Sequence, residues 1–145
     1  MGSNEVTSVI PPAPAFYATA VTAYFLQPDW LIAAVNDLVE IGRLPENWNS
    51  YGSPALTEPA KRQAFDVALK LSRMGVPEPQ IAPVSGGGVQ FTCNVGVQSL
   101  ELEVLPDGAV DFLRVYDDDT MKEGRIKVGF ADQLNQQVRW LMEHP

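Results

Sequence analysis

Apolar residues recur at helical spacing in two stretches of the first half of the chain. In the first, Leu31, Ala34, Val35, Leu38, Ile41 and Gly42 follow Asp29, whose carboxylate suits an N-cap. The spacing predicts a helix over about 30–41, with Gly42 in the left-handed position past its end and Pro45 as the stop. In the second, Thr57 is a capping residue and Pro59 falls in the first turn, where a missing N–H costs nothing. Phe65, Ala68, Leu69 and Ser72 mark one stripe, and Val67, Leu71 and Met74 mark an adjoining one before Gly75 ends the helix. Two adjoining stripes predict a broad buried face lying across a sheet.

Beyond Gly75 the period changes to two. Pro77, Pro79 and Pro83 frame a short extended segment over 80–84, which proline confines to a sheet edge. After the Ser85-Gly86-Gly87-Gly88 turn, Val89, Phe91, Cys93 and Val95 alternate with Gln90, Thr92 and Asn94. Leu100, Leu102 and Val104 then alternate with Ser99, Glu101 and Glu103. Pro106-Asp107-Gly108 reads as a hairpin closed by a type I turn with the glycine in the left-handed region. The next strand, over 110–116, carries Val110, Phe112 and Tyr116 on one face and Leu113 and Val115 on the other, as an interior strand does. A weaker strand is expected over 125–130 from Ile126, Val128 and Phe130, and a helix over about 132–143 from Leu134, Val138 and Leu141.

This order predicts an α+β fold: an antiparallel β-meander of three to five strands, with two N-terminal helices and one C-terminal helix packed on one face. The expected organisation is a single domain over 15–145 behind an arm over 1–14, where Pro11, Pro12 and Pro14 favour an extended chain. The stretch AFYATAVTAYFL over 15–26 is apolar and aromatic, and its period does not decide between helix and strand. It packs on its own domain or, through Phe16, Tyr17, Tyr24 and Phe25, on another chain.

Composition narrows the function classes. The chain has 145 residues, 46% hydrophobic and 19% charged, which is a globular balance. A net charge of −8 with scattered Lys and Arg argues against direct nucleic-acid binding, because no basic stripe tracks phosphates. Acidity instead fits solubility, a basic protein partner or mimicry of a polyanion. The lone Cys93 excludes an internal disulfide and a cysteine-based zinc site, and with no signal-peptide pattern at the start it leads to the expectation of a cytoplasmic protein. The apolar run over 13–26 is too short and too interrupted to cross a bilayer, so no membrane association is expected.

Candidate chemistry is sparse. Glu101 and Glu103 share a strand face, with Asp111 on the neighbouring strand, as an acid/base pair or as an acidic surface for a basic partner. Asp117, Asp118, Asp119 and Thr120 offer oxygens to a hard cation but lack the ligand spacing of a calcium loop, and read as a solvated turn. Cys93 sits on an apolar face, far in sequence from His144. The glycine turn over 85–88 leads into a strand rather than a helix and is followed by no lysine, unlike a phosphate loop. No catalytic residue, metal site or cofactor is therefore assigned, and an enzyme is not the expected class.

The densest feature is the loop over 44–54, LPENWNSYGSP. Trp48 plugs the end of the core, with Asn47 and Asn49 bonding loop backbone, or Trp48 and Tyr51 anchor a partner. The pattern is carried by Leu44, Pro45, Asn47, Trp48, Asn49, Tyr51, Gly52, Ser53 and Pro54, then Gly86, Gly87, Pro106, Asp107 and Gly108. Over 44–115 it resembles a family of small uncharacterised bacterial proteins with an N-W-[DN]-x-Y-G-[AS]-P motif, in which Asp is the commoner residue where Asn49 stands here. The resemblance implies a non-enzymatic, antitoxin-like or accessory protein that associates with or neutralises a protein partner. Two alternatives stay open: an acidic inhibitor mimicking nucleic acid, and a small-ligand binder or enzyme using the acidic sheet face. The partner-contact candidates are Phe16, Tyr17, Tyr24, Phe25, Trp48, Tyr51, Glu101 and Glu103.

Overall fold

A computed structural model describes residues 30–127 and 130–143. Among them run helices α1 (Trp30–Gly42), α2 (Glu58–Arg73) and α3 (Phe130–Glu143) and strands β1 (Gln80–Val84), β2 (Gly88–Val95), β3 (Gln98–Val104), β4 (Val110–Val115) and β5 (Met121–Ile126). The arm over 1–14, the stretch over 15–26 with Phe16, Tyr17, Tyr24 and Phe25, the expected cap Asp29, and His144 lie outside the described residues. No helix among the described residues is long and apolar enough to cross a membrane.

The strands pair in chain order, β1-β2-β3-β4-β5, each antiparallel to the next. Register follows from the alternation: Phe91 opposes Leu102, Leu102 opposes Phe112, and Cys93 opposes Leu100. These side chains, with Val89, Val104 and Val110, form the inner face, and a slip of one residue would turn all of them to the other side. The helices lie on this face: α2 against β2 and β3, α3 against β2, β3 and β5, and α1 beside α2 and β1. The architecture is the α+β meander with two helices before it and one after.

Small residues set the closeness of α2 to the sheet. Ala60, Ala64, Val67, Ala68 and Leu71 are all fully buried, and each buried Val or Leu contributes about 1.5–3 kcal/mol. Thr57 caps this helix by accepting the N–H of Ala60 at 3.2 Å, and Gly75, at φ 77°, stands just beyond its C-terminal cap. Trp30 fastens α1: its indole N–H donates to the carbonyl of Val76 at 2.9 Å in a buried bond. At the far end Arg114 reaches from β4 to α3, donating to Gln137 at 2.7 Å and lying 5.0 Å from the ring centre of Trp140. Tyr116 meets the same ring edge-on at 5.0 Å.

Several expectations are corrected. Phe65 is 37% exposed, because the sheet contact of α2 takes alanines and leaves the bulky ring at the rim. Val35 faces outward, since Trp30, Ala34, Leu38 and Ile41 make the buried stripe of α1. Gly42 is the last helical residue rather than a left-handed one, and α1 closes through Arg43 N–H to Glu40 O and Leu44 N–H to Ile41 O at 3.1 and 3.2 Å. A Cβ on Gly42 would sit 3.4 Å from the Lys61 side chain, an ordinary contact, so neither crowding nor backbone conformation demands glycine there. The fifth strand is Met121–Ile126, not 125–130: Tyr116 N–H bonds Thr120 O at 2.9 Å, so pairing resumes at once with Met121 opposite Val115. Phe130 accordingly opens α3.

Candidate functional site

The loop over 44–54 is held in a conformation that ordinary residues avoid. Asn47, Ser50 and Gly52 take φ of 63°, 66° and 84°, and a non-glycine residue there costs roughly 1 kcal/mol or more. Side-chain amides offset that cost. Asn47 Oδ1 accepts the Gly52 N–H at 2.6 Å, and Asn49 Oδ1 accepts those of Tyr51 and Ser53 at 2.9 and 3.2 Å. The backbone adds Asn47 N–H to Ser53 O at 2.7 Å, and the Glu46 carboxylate accepts from Ala55 N–H. The loop is therefore built from Asn side chains substituting for backbone partners.

It is also tied to two other segments. Asn49 Nδ2 donates to Ser85 Oγ at 2.9 Å, and Gly86 N–H donates to the buried hydroxyl of Ser53 at 3.0 Å. A Cβ on Gly87 would stand 3.3 Å from Ala55 O. Just past the loop, Thr57 Oγ1 donates to Pro106 O at 2.6 Å and Gln63 donates to Gly108 O at 2.9 Å. Gly108 has φ 89° and its N–H returns to Leu105 O, as expected for the turn at 105–108. The loop, the Gly86-Gly87 turn and the Pro106-Asp107-Gly108 turn thus gather around the start of α2. Ser53 and Ser85, which the sequence marks only as loop and turn residues, supply the ties between the two segments, because nothing local in the chain marks their distant partners.

Within this frame the two aromatics part company. Leu44 packs on the core, Trp48 is half-buried outside that cluster, and Tyr51 is 90% exposed. Fixed loop geometry therefore projects one aromatic ring into solvent.

The second surface is the sheet face opposite the helices. Glu103 opposes Asp111, which opposes Arg125, and Glu101 opposes Leu113, which opposes Glu123. Asp111 accepts from Arg125 at 2.7 and 3.3 Å, and this carboxylate holds the guanidinium pKa above its usual value. Glu101 accepts from Gln90 at 3.3 Å. Glu101 and Glu103 are half-buried, sharing the face as the alternation implies. The apolar share of this face includes Ala82, Val84, Leu113, Val115 and Met121, the last 66% exposed.

Other candidates resolve into structure. Asp118 accepts from Thr120 through both hydroxyl and N–H at 2.6 and 3.0 Å, which lowers its pKa and makes 117–120 a self-satisfied turn. Burial pushes the Cys93 thiol up to about 12, and it is fully shielded between Phe91 and Val95 in the core strand. Among the described residues no group of three or more His, Cys, Asp or Glu side chains is placed to hold a metal ion. The grooves are open ones, such as a space of about 440 Å³ between α2 and α3 bordered by Arg73, Val138 and Arg139. No family model, no curated protein and no solved structure matches the chain.

Proposed function

We propose that the protein is a non-enzymatic binding module that associates with or neutralises a protein partner, in the manner of an antitoxin or accessory subunit. The observation that carries this reading is Tyr51, 90% exposed on a loop whose conformation is fixed by bonds to Asn47 and Asn49. Tyrosine is enriched at binding hot spots, and a side chain carried on a preorganised loop loses less freedom on docking. The resemblance borne by the same loop points to the same class. Tagged full-length chain should draw a stoichiometric protein from native extract, and Tyr51→Ala should fold normally yet lose at least about tenfold in affinity, as hot-spot truncation does. Recovery of the chain alone, or a Tyr51→Ala variant that binds undiminished, would count against it.

The outer sheet face favours a second reading, in which the partner is basic and a nucleic-acid-binding groove is blocked by mimicry. Glu101, Glu103, Asp111 and Glu123 share this face, where Arg125 pairs with Asp111. Binding of that kind competes with DNA or RNA and weakens steeply with salt. Salt-insensitive binding, unchanged in Glu101→Gln/Glu103→Gln, would exclude it.

A further inference from the structure

Helix α1 is apolar on two sides. Trp30, Ala34, Leu38 and Ile41 face the core, while Ile32, Val35 and Val39, at i, i+3 and i+7, form a second stripe that is 74%, 36% and 36% exposed. The only charged residues in its thirteen are Asp37 and Glu40. A surface helix ordinarily carries one apolar stripe and a charged opposite face; a helix apolar on both sides is one that is covered on both. We propose that the stripe Ile32-Val35-Val39 is the docking surface for residues 15–26 of the same chain.

Three features select this occupant. The segment AFYATAVTAYFL contains no charged side chain and carries Phe16, Tyr17, Tyr24 and Phe25, so burying it against Ile, Val and Val leaves no ion unpaired. Only Gln27, Pro28 and Asp29 separate it from Trp30, a tether spanning about 10 Å at most. Such a tether holds the segment near the stripe at an effective concentration on the order of millimolar, which favours it over a second copy at ordinary protein concentrations. The stripe, from Ile32 to Val39, is about 10 Å long, well within the reach of twelve residues whatever their backbone form.

The consequence is that these four aromatics complete the domain and are withheld from other proteins. The structure offers a matched pair of positions for the test, since Ile32 and Val97 are 74% and 75% exposed and the native thiol at Cys93 is fully buried. In the full-length chain, Ile32→Cys should react with a maleimide at least about tenfold more slowly than Val97→Cys, the protection expected of a docked segment that opens locally. Adding Phe16→Ser, Tyr17→Ser, Tyr24→Ser and Phe25→Ser should bring the two rates together. Equal rates for the two thiols in the otherwise natural chain would overturn the proposal, whether or not the quadruple variant folds. Protection that disappears on about hundredfold dilution would also overturn it, by assigning the stripe to a second copy.

Discussion

Asn49 and Ser85, 36 residues apart, are joined side chain to side chain at 2.9 Å, so the loop after α1 and the β1–β2 hairpin form one unit. The amide nitrogen donates and the serine hydroxyl accepts, while Asn49 Oδ1 serves the N–H groups of Tyr51 and Ser53. A hydroxyl can also donate, so Asn49→Asp preserves the link by reversing it. Urea unfolding should place Asn49→Asp within about 0.5 kcal/mol of the parent and Asn49→Ala about 1–3 kcal/mol below it. Equal losses would mean that the donor, not the link, is what matters.

Two strand glycines make opposite predictions about crowding. A Cβ on Gly88 would lie 2.4 Å from the carbonyl oxygen of Val104, which is backbone of the neighbouring strand. On Gly124 it would lie 2.7 Å from the ring of Phe112, a half-buried side chain that can swing aside. Gly88→Ala should cost at least about 2 kcal/mol and Gly124→Ala about 1 kcal/mol or less. Thermal melts of the two variants give the order directly, and the reverse order would contradict the register of β2 on β3.

Gln98 ends the inner face of β3 with its side-chain oxygen buried and without a hydrogen-bond partner among the described residues. Leaving such an acceptor unmade costs about 1–3 kcal/mol, so an apolar residue of similar length should do better. Gln98→Met is expected to raise stability by about 1 kcal/mol in denaturant titration. A loss of that size instead would show that the amide makes a bond worth more than its desolvation.

Cys93 should make stability fall at high pH. Its thiol is raised by desolvation from 9.0 to about 12, so the folded chain stays protonated where the unfolded chain ionises. The contribution is complete below pH 9.0 and is lost as pH rises towards about 12, at up to about 1.4 kcal/mol per pH unit. Cys93→Val should flatten that part of the pH profile. An identical slope in both proteins would assign the decline to other groups.

The meander was legible because the alternation over 89–104 obeys period two almost without exception, and each turn from β1 to β4 is marked by glycine. The last strand was not, because of MKEGRI only Ile126 is buried, whereas Ile126, Val128 and Phe130 continue a false alternation into α3. The buried side of α3 was only partly visible, since Trp140 and Gln137 are committed by Arg114, 23 residues upstream of Gln137. In the loop, the Asn side chains could be read as backbone partners from local chemistry alone. Which of Trp48 and Tyr51 faces solvent could not, because that depends on where the hairpin at Ser85 and Gly86 holds the loop.

The two borders of the sheet constrain how this protein meets others of its kind. β1 carries Pro83, which has no N–H to offer, and β5 carries Lys122, Glu123 and Arg125 in six residues. A foreign strand seeking to add itself finds an interrupted donor row on one side and a charged margin on the other. Sheet-to-sheet growth into filaments is disfavoured at both ends, and an acidic protein of this shape should stay dispersed at concentrations where an unguarded five-stranded sheet would not.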